Sequence, residues 1–413
     1  MAKKSPKSPL APKRFPAIPP VAGVELATIA AGVRYKTRAD VTLAKLAPGT
    51  AVAGVFTQNR MPGAPVDWCR RQLAQGGARA LIVKAGNANV FTGRAGAEAV
   101  EETAAAVART LRCRPAEVFV ASTGVIGEFL PHQRVIDALP ALKAGLGPGD
   151  WNKAARAICT TDTFPKGASA TAEIDGKPVT IAGIAKGSGM IAPDMATMLA
   201  FLFTDARLPA PLLQQLLERA NAKSFNCITV DGDTSTSDTV LLFATGRGRR
   251  HAAVKSAQDP RLAGFAAALD RVMTDLAHQI VRDGEGAEKF ITITVSGAKS
   301  RQSARRIGLT IANSPLVKTA IAGADANWGR IVMAVGRAGE PADRDRLAVE
   351  MGGVLIADAG GPVDGYDEAV LAPHMQGRAI DIAVDVGVGR GRATVWTCDL
   401  THGYIAINAD YRS

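Results

Sequence analysis

Apolar positions recur along this chain with two different periods, and segments of the two kinds alternate. Val100, Ala104, Val107 and Leu111 form one helical stripe over Arg94 to Arg112. Val118 to Ala121 then reads as a short strand ending at Ser122-Thr123-Gly124. Leu212, Leu213, Leu216, Leu217 and Ala220 mark a second helix, opened by Pro209 and Pro211. Leu262, Phe265, Leu269, Val272, Met273, Leu276 and Ile280 mark a third, stopped at Asp283-Gly284 and followed by an alternating strand from Phe290 to Val295. Ile380 to Val386 and Ala393 to Cys398 read as strands joined through Gly387, Gly389 and Gly391; without a following helix this cluster suits a hairpin turn better than a phosphate loop. Val395 to Asp399 and Tyr404 to Ile407 read as strand near the C-terminus. The alternation predicts an α/β protein with covered sheets.

The most apolar run, Met195 to Phe203, has the composition of a strand buried on both faces, and it follows a loop rich in turn residues, Lys186 to Asp194. Its uncharged stretch, Met195 to Thr204, is ten residues long, half of the ~20 that a membrane helix needs, so no span is expected. With 413 residues, 47% of them hydrophobic, two or three layered domains are expected.

The net charge of +11 is uneven, because Lys3, Lys4, Lys7, Lys13 and Arg14 all precede the first acid, Glu25. Residues 1–20 also hold six prolines and no apolar core, so they read as a basic, Pro-rich, flexible, solvated tail rather than a targeting segment. The remaining excess is dispersed and not interleaved with aromatics, which argues against a nucleic-acid partner. Five scattered cysteines (Cys69, Cys113, Cys159, Cys227, Cys398) without a CxxC pair fit a reducing cytoplasm, and five isolated histidines give no metal-binding spacing.

Taken singly, the candidate chemical residues have ordinary readings. Thr197 is a β-branched residue suited to a strand, and Thr123-Gly124 is a strand-end turn. Lys186 and Glu285 read as solvated charges, and Asn408 and Ser413 as tail residues without contacts.

Ordered blocks change that picture. Met195-Ala196-Thr197-Met198-Leu199 resembles the self-cleavage region of the ornithine acetyltransferase family, in which the chain is cut between Ala and Thr. In family order come Ala53 to Thr57 with Asn59-Arg60, Gly86 to Asn89, Ala121 to Gly127, Thr160 to Thr163, Ser224 to Asn226, Ile228 to Thr236, Asp283 to Ala287, Gly323 to Arg330 and Ile407 to Ser413. The resemblance implies a layered αββα-type sandwich, similar to N-terminal-nucleophile folds, cut into an alpha chain of residues 21–196 and a beta chain of 197–413. It implies an α2β2 assembly with no metal or cofactor, and acetyl transfer from N-acetylornithine to glutamate through Thr197, with acetyl-CoA open as a second acetyl donor. It assigns the cut to Ala196 and Thr197, the oxyanion hole to Thr123 and Gly124, and substrate contacts to Thr163, Lys186, Thr197, Glu285, Asn408 and Ser413.

The implied chemistry is physically coherent. A threonine hydroxyl needs a neighbouring base, and cleavage before Thr197 creates one in its own α-amine, whose ordinary pKa of roughly 7.7 to 8.0 leaves it partly basic near neutrality. Lys186 suits a substrate carboxylate, and Glu285 a cationic amine. Two competing readings stand beside this one. Asp231-Gly232-Asp233-Thr234 resembles the DxDxT motif of haloacid-dehalogenase-type phosphatases, in which both acids hold Mg²⁺, with Asp364 and Asp367 as a downstream acidic pair. The basic excess alone is compatible with a non-enzymatic binding module.

Overall fold

The computed structural model describes residues 6–192 and 198–409. Ala196, Thr197 and Ser413, three of the expected site residues, therefore lie outside the described residues. In chain order the elements are β1 (Val24–Ile29), β2 (Val41–Phe56), α1 (Ala64–Leu73), β3 (Gly77–Asn87), α2 (Gly93–Leu111), β4 (Val118–Val125), α3 (His132–Ala144) and α4 (Trp151–Ala157). Next come β5 (Lys166–Ile174), β6 (Lys177–Lys186), β7 (Leu199–Thr204), α5 (Ala210–Asn221), β8 (Thr239–Ala244), α6 (Ala263–Arg282) and β9 (Phe290–Ala298). The last third contains α7 (Arg301–Ala312), α8 (Pro315–Ala322), α9 (Trp328–Gly336), β10 (Ala348–Met351), β11 (Val354–Asp358), β12 (Gly361–Pro362), α10 (Ala372–Gln376), β13 (Ala379–Asp385), β14 (Gly391–Cys398) and α11 (His402–Ala409).

The fold is layered α/β, built on two mixed sheets. In the first the strand order is β4-β3-β2-β8-β7-β6-β5, with β1 paired to β2. Every residue of β7 is buried, as its unbroken apolar composition predicts; it runs parallel to β8 and antiparallel to β6. Helices α1 to α4 cover one face, where Phe203 stacks on Phe243 with centroids 5.3 Å apart and Trp151 packs beside it. Helices α5 and α6 cover the other. Helix α6 buries Phe265, Leu269, Val272, Met273, Leu276 and Ile280 along the predicted stripe, each side chain stabilising by about 1.5–3 kcal/mol. Its His278 packs edge-on against Phe290 and Trp396, joining the first core to the second sheet. That sheet has the order β12-β11-β10-β13-β9-β14 and carries α7 and α9 on one face.

Three expectations need correction. The glycine-rich segment after β13 is not a hairpin turn: β9 lies between β13 and β14, parallel to one and antiparallel to the other. Ile291, Ile293 and Val295 of β9 are fully buried, and this interior place gives them a strand on each side. Tyr404 to Ile407 is helical, because Thr401 starts a turn in which its side-chain oxygen accepts the Gly403 N–H at 3.1 Å and its carbonyl accepts the Tyr404 N–H. The N-terminal segment is not free in solvent beyond Ser8. Ser8 donates its N–H to Thr163 Oγ1 at 2.9 Å and its hydroxyl to the Arg282 carbonyl at 2.6 Å, while Phe15 and Ile18 cover the bare backbone of Gly167. Burying these apolar side chains outweighs the solvation that the surrounding lysines and prolines favour.

Candidate active site

The site forms where the ends of β3, β4 and β6 meet the start of β7. Strands β3 and β4 run parallel and bring Gly86 opposite Gly124. Thr123 and Gly124 lie within β4, at a shift in its register with β3, rather than in a turn after the strand; Gly124 has φ of +132°, and a Cβ there would fall 2.3 Å from the Gly86 carbonyl carbon, so only glycine allows this approach. Next to it in β4 is Thr123, whose side chain is buried. Lys186 closes β6 in register with Leu199, the first residue of β7, and its buried ammonium donates to Thr123 Oγ1 at 3.2 Å. One residue earlier, the Met198 N–H donates to Asp238 Oδ1 at 2.7 Å and the Met198 carbonyl accepts the Thr239 N–H at 3.1 Å. Met198, the residue after Thr197, is thus held through both its N–H and its carbonyl.

Glu285 enters from the turn after α6. Its N–H donates to the Ser188 carbonyl at 2.8 Å, and its carboxylate lies so close to Gly189 that a Cβ there would meet an oxygen at 2.3 Å. Asn408 on α11 donates to Glu285 Oε2 at 2.8 Å, and one helical turn earlier Tyr404 donates its hydroxyl to Asp231 Oδ2 at 3.3 Å. Thr123, Gly124, Lys186, Glu285 and Asn408 together line one cavity of about 290 Å³. Thr160 and Thr161 line it too. Thr163 does not: its N–H and hydroxyl donate to Asp283, and its oxygen accepts from Ser8.

Behind the cavity is a buried ionic cluster that sequence reasoning missed. Lys166 donates to Asp162 Oδ1 at 2.7 Å and to Asp283 Oδ2 at 2.5 Å, with all three side chains withdrawn from solvent. Asp162 also accepts the Gly187 N–H at 2.7 Å and the Thr160 N–H at 2.9 Å, so the cluster fixes the loops carrying Lys186 and Thr161. Although burial opposes its charge, the ammonium groups of Lys166 and Lys186 hold Asp162 well below the usual carboxylate range. Asp238 was missed as well. The sequence shows only an acid before a strand, yet it is fully buried, burial pushes its carboxyl well up, and its Oδ2 has no hydrogen-bond partner among the described residues.

Burial also raises the Glu285 carboxyl; hydrogen bonds from Asn408 and Thr161 and the charge of Lys186 oppose that rise. A buried carboxyl and a buried ammonium facing one small cavity suit a ligand with an amine and a carboxylate. The end of β4 at Thr123-Gly124 offers donors for a developing oxyanion. Asp231 is occupied differently from a phosphatase nucleophile: its Oδ2 accepts the Met190 N–H at 2.6 Å and its Oδ1 the Ile191 N–H at 2.8 Å, so it ties down the loop leading toward residue 193. Asp233 is exposed, and among the described residues no three His, Cys, Asp or Glu side chains are grouped to hold a metal ion.

The family model described as ArgJ family matches residues 25–413. The chain is 60% identical over 413 residues to the arginine biosynthesis bifunctional protein ArgJ of Gluconobacter oxydans, covering 100% of this chain and 97% of the relative. It is 57% identical over 402 residues to the protein of the same name from Caulobacter vibrioides, covering 97% and 100%. The solved structure of an ornithine acetyltransferase complexed with ornithine, from Mycobacterium tuberculosis, is 34% identical, with a TM-score of 0.38 and coverage of 45% of this chain and 95% of that one. A family match from residue 25 to the last residue, together with full-length identity of this order, overturns the phosphatase and binding-module readings: this chain belongs to the ArgJ family, the ornithine acetyltransferases of arginine biosynthesis.

Proposed function

We propose that this acyltransferase of arginine biosynthesis moves the acetyl group of N-acetylornithine to glutamate through an ester on Thr197 Oγ. One observation carries the reading: Thr123, Gly124, Lys186, Glu285 and Asn408, drawn from distant parts of the sequence, line a single cavity of amino-acid size. The precursor is cut between Ala196 and Thr197, giving alpha and beta chains that assemble as α2β2. The new α-amine takes the Thr197 hydroxyl proton as Oγ attacks the acetyl carbonyl. Thr123 and Gly124 stabilise the oxyanion, the carbon–nitrogen bond breaks, and the proton leaves with the ornithine amine. Glutamate then attacks the ester by the same route in reverse, and Thr197 recovers its proton. Lys186 holds the substrate carboxylate, Glu285 receives the cationic amine of ornithine, Asn408 orients Glu285, and Ser413 closes the site. Thr163 acts from behind, through Asp283. The reaction takes place in a reducing cytoplasm, in keeping with five free cysteines.

The test combines mass and activity. Purified wild-type protein is expected as pieces of 196 and 217 residues, Thr197→Ala as one inactive chain, and Thr197→Ser as a slowly cut, partly active enzyme. An uncut wild-type chain with full exchange activity would remove the α-amine from the mechanism.

A further inference from the structure

Lys186 and Glu285, the two charges that face the cavity, stand on segments from opposite sides of the Ala196-Thr197 junction, and the buried ionic cluster grips both segments. Lys186 precedes Gly187, whose N–H donates to Asp162 Oδ1 at 2.7 Å. Glu285 follows Asp283 by two residues, and Asp283 accepts from the N–H and hydroxyl of Thr163 and from the Lys166 ammonium. Lys166 is the link. Its three N–H donors go to Asp162 at 2.7 Å, Asp283 at 2.5 Å and the Phe164 carbonyl at 3.3 Å, so the ammonium has no donor left for another partner. Further bonds tie the same segments together. The Glu285 N–H donates to the Ser188 carbonyl at 2.8 Å, the Thr161 and Ser188 hydroxyls lie 2.7 Å apart, and Ser8 bonds to Thr163 Oγ1 and the Arg282 carbonyl.

Fold stability alone does not call for such a cluster. Withdrawing three ions from water costs about as much as their attraction returns, and apolar side chains of the same volume commonly hold a core as well. What the ions add is direction, because each contact has a fixed donor, acceptor and length that apolar packing lacks. That order passes to the cavity through one residue on the Lys186 side and two on the Glu285 side, a length of chain too short to absorb a displacement. A ligand held at its carboxylate by Lys186 and at its amine by Glu285 is measured end to end. A cavity of about 290 Å³ leaves little room beyond it.

We infer that Asp162, Lys166 and Asp283 are positioning residues that set the distance between the Lys186 ammonium and the Glu285 carboxylate, and so select the side-chain length of the diamino acid accepted as acetyl donor. The inference rests on the roles proposed above for Lys186 and Glu285. A donor of matched length has both ends engaged while its acetyl carbonyl meets the donors at Thr123 and Gly124. One methylene more or less leaves one end unpaired or moves the carbonyl off those donors, so the penalty falls on kcat/KM for the wrong length.

The full-length enzyme is given glutamate with an equimolar mixture of N-acetylornithine and Nα-acetyllysine, and the ornithine and lysine released are compared. Their ratio reports relative kcat/KM and does not depend on how much of the protein is active. The wild type should favour N-acetylornithine by roughly 10–200-fold, the worth of one methylene. Asp162→Asn/Lys166→Met/Asp283→Asn removes all three charges together without stranding an ion, and should lower that preference about tenfold. Thr163→Val takes one hydroxyl from Asp283 and leaves the ions in place; it should lower the preference less, and Thr163→Ser should restore it. A cluster that served only to hold the fold would cost both donors equally. A wild type with no preference between the two lengths would overturn the inference, as would an unchanged ratio in the triple variant, or in Thr163→Val where the triple variant does not fold. A wild type that uses N-acetylnorvaline, the same carbon chain without the amine, as well as it uses N-acetylornithine would instead sink the reading of Glu285 as the amine's partner, and the inference with it.

Discussion

Asn408 and Glu285, 123 residues apart in sequence, meet through one hydrogen bond of 2.8 Å that fastens the last helix to the turn after α6. This bond favours the ionised form of a carboxyl that burial pushes the other way. Asn408→Ala should therefore leave Glu285 more readily protonated and raise the KM for ornithine derivatives about tenfold, in the range of one hydrogen bond to a charged group. The increase should be steepest toward acid pH. A uniform KM change across pH would mean that Asn408 acts only as packing.

Thr123 and Lys186 invite a finer test, because the same hydroxyl can accept from the ammonium and donate to an oxyanion. Thr123→Val should lower kcat by about 10²–10³, the usual loss for an oxyanion donor, whereas Thr123→Ser should retain most of it. If Thr123→Val changes KM alone, the hydroxyl belongs to substrate binding.

Asp238 gives a pH dependence whose sign can be worked out. Burial raises its carboxyl in the folded state above the ordinary value of about 3.9 that it has when unfolded. Through that interval the folded chain binds more proton than the unfolded one, so this group's stability contribution is present at acid pH and is lost as pH rises. Asp238→Asn keeps the acceptor for Met198 but never ionises. Thermal melts across pH about 4.5 to 8 should show the variant gaining on the wild type as pH increases. A gain in the opposite direction would place the carboxyl in a favourable ion pair.

Docking of the N-terminal segment makes it part of the folded unit. Phe15→Ala exposes Gly167 and should cost about 1–2 kcal/mol in denaturant unfolding, since the ring is only partly buried. Removing residues 1–18 should cost more by also breaking the Ser8 bonds to Thr163 and Arg282. An unchanged midpoint after truncation would return the segment to the status of a solvated tail.

The legible parts of the fold were those in which one chain segment carries its own period. Helix α6 and strand β7 announce themselves through spacing and unbroken burial, whereas Thr123-Gly124, which reads as a turn after an apolar strand, belongs to the end of that strand. What stayed hidden depends on partners remote in sequence. Nothing in the sequence around Lys166 says that Asp283, 117 residues away, will neutralise it in the core. Similarly, the strand-like spacing after Gly387 is the same whether β13 and β14 pair with each other or take β9 between them. Tyr404 to Ile407 is a short apolar run that reads as strand, but the turn begun by Thr401 winds it into α11, from which Asn408 reaches the site and Tyr404 reaches Asp231.

The strand order of the first sheet bears on the proposed cut between residues 196 and 197. Strands β7 and β8 come after that point, yet they sit between β2 and β6, which come before it, and hydrogen-bond to both. Pulling the two pieces apart would open a gap in the middle of one sheet and strip its neighbours of their ladders at both borders. Cut there, the two pieces would remain a single cooperative unit with no folded, separated state to visit, and two genes encoding them apart would yield enzyme only if the pieces fold around each other.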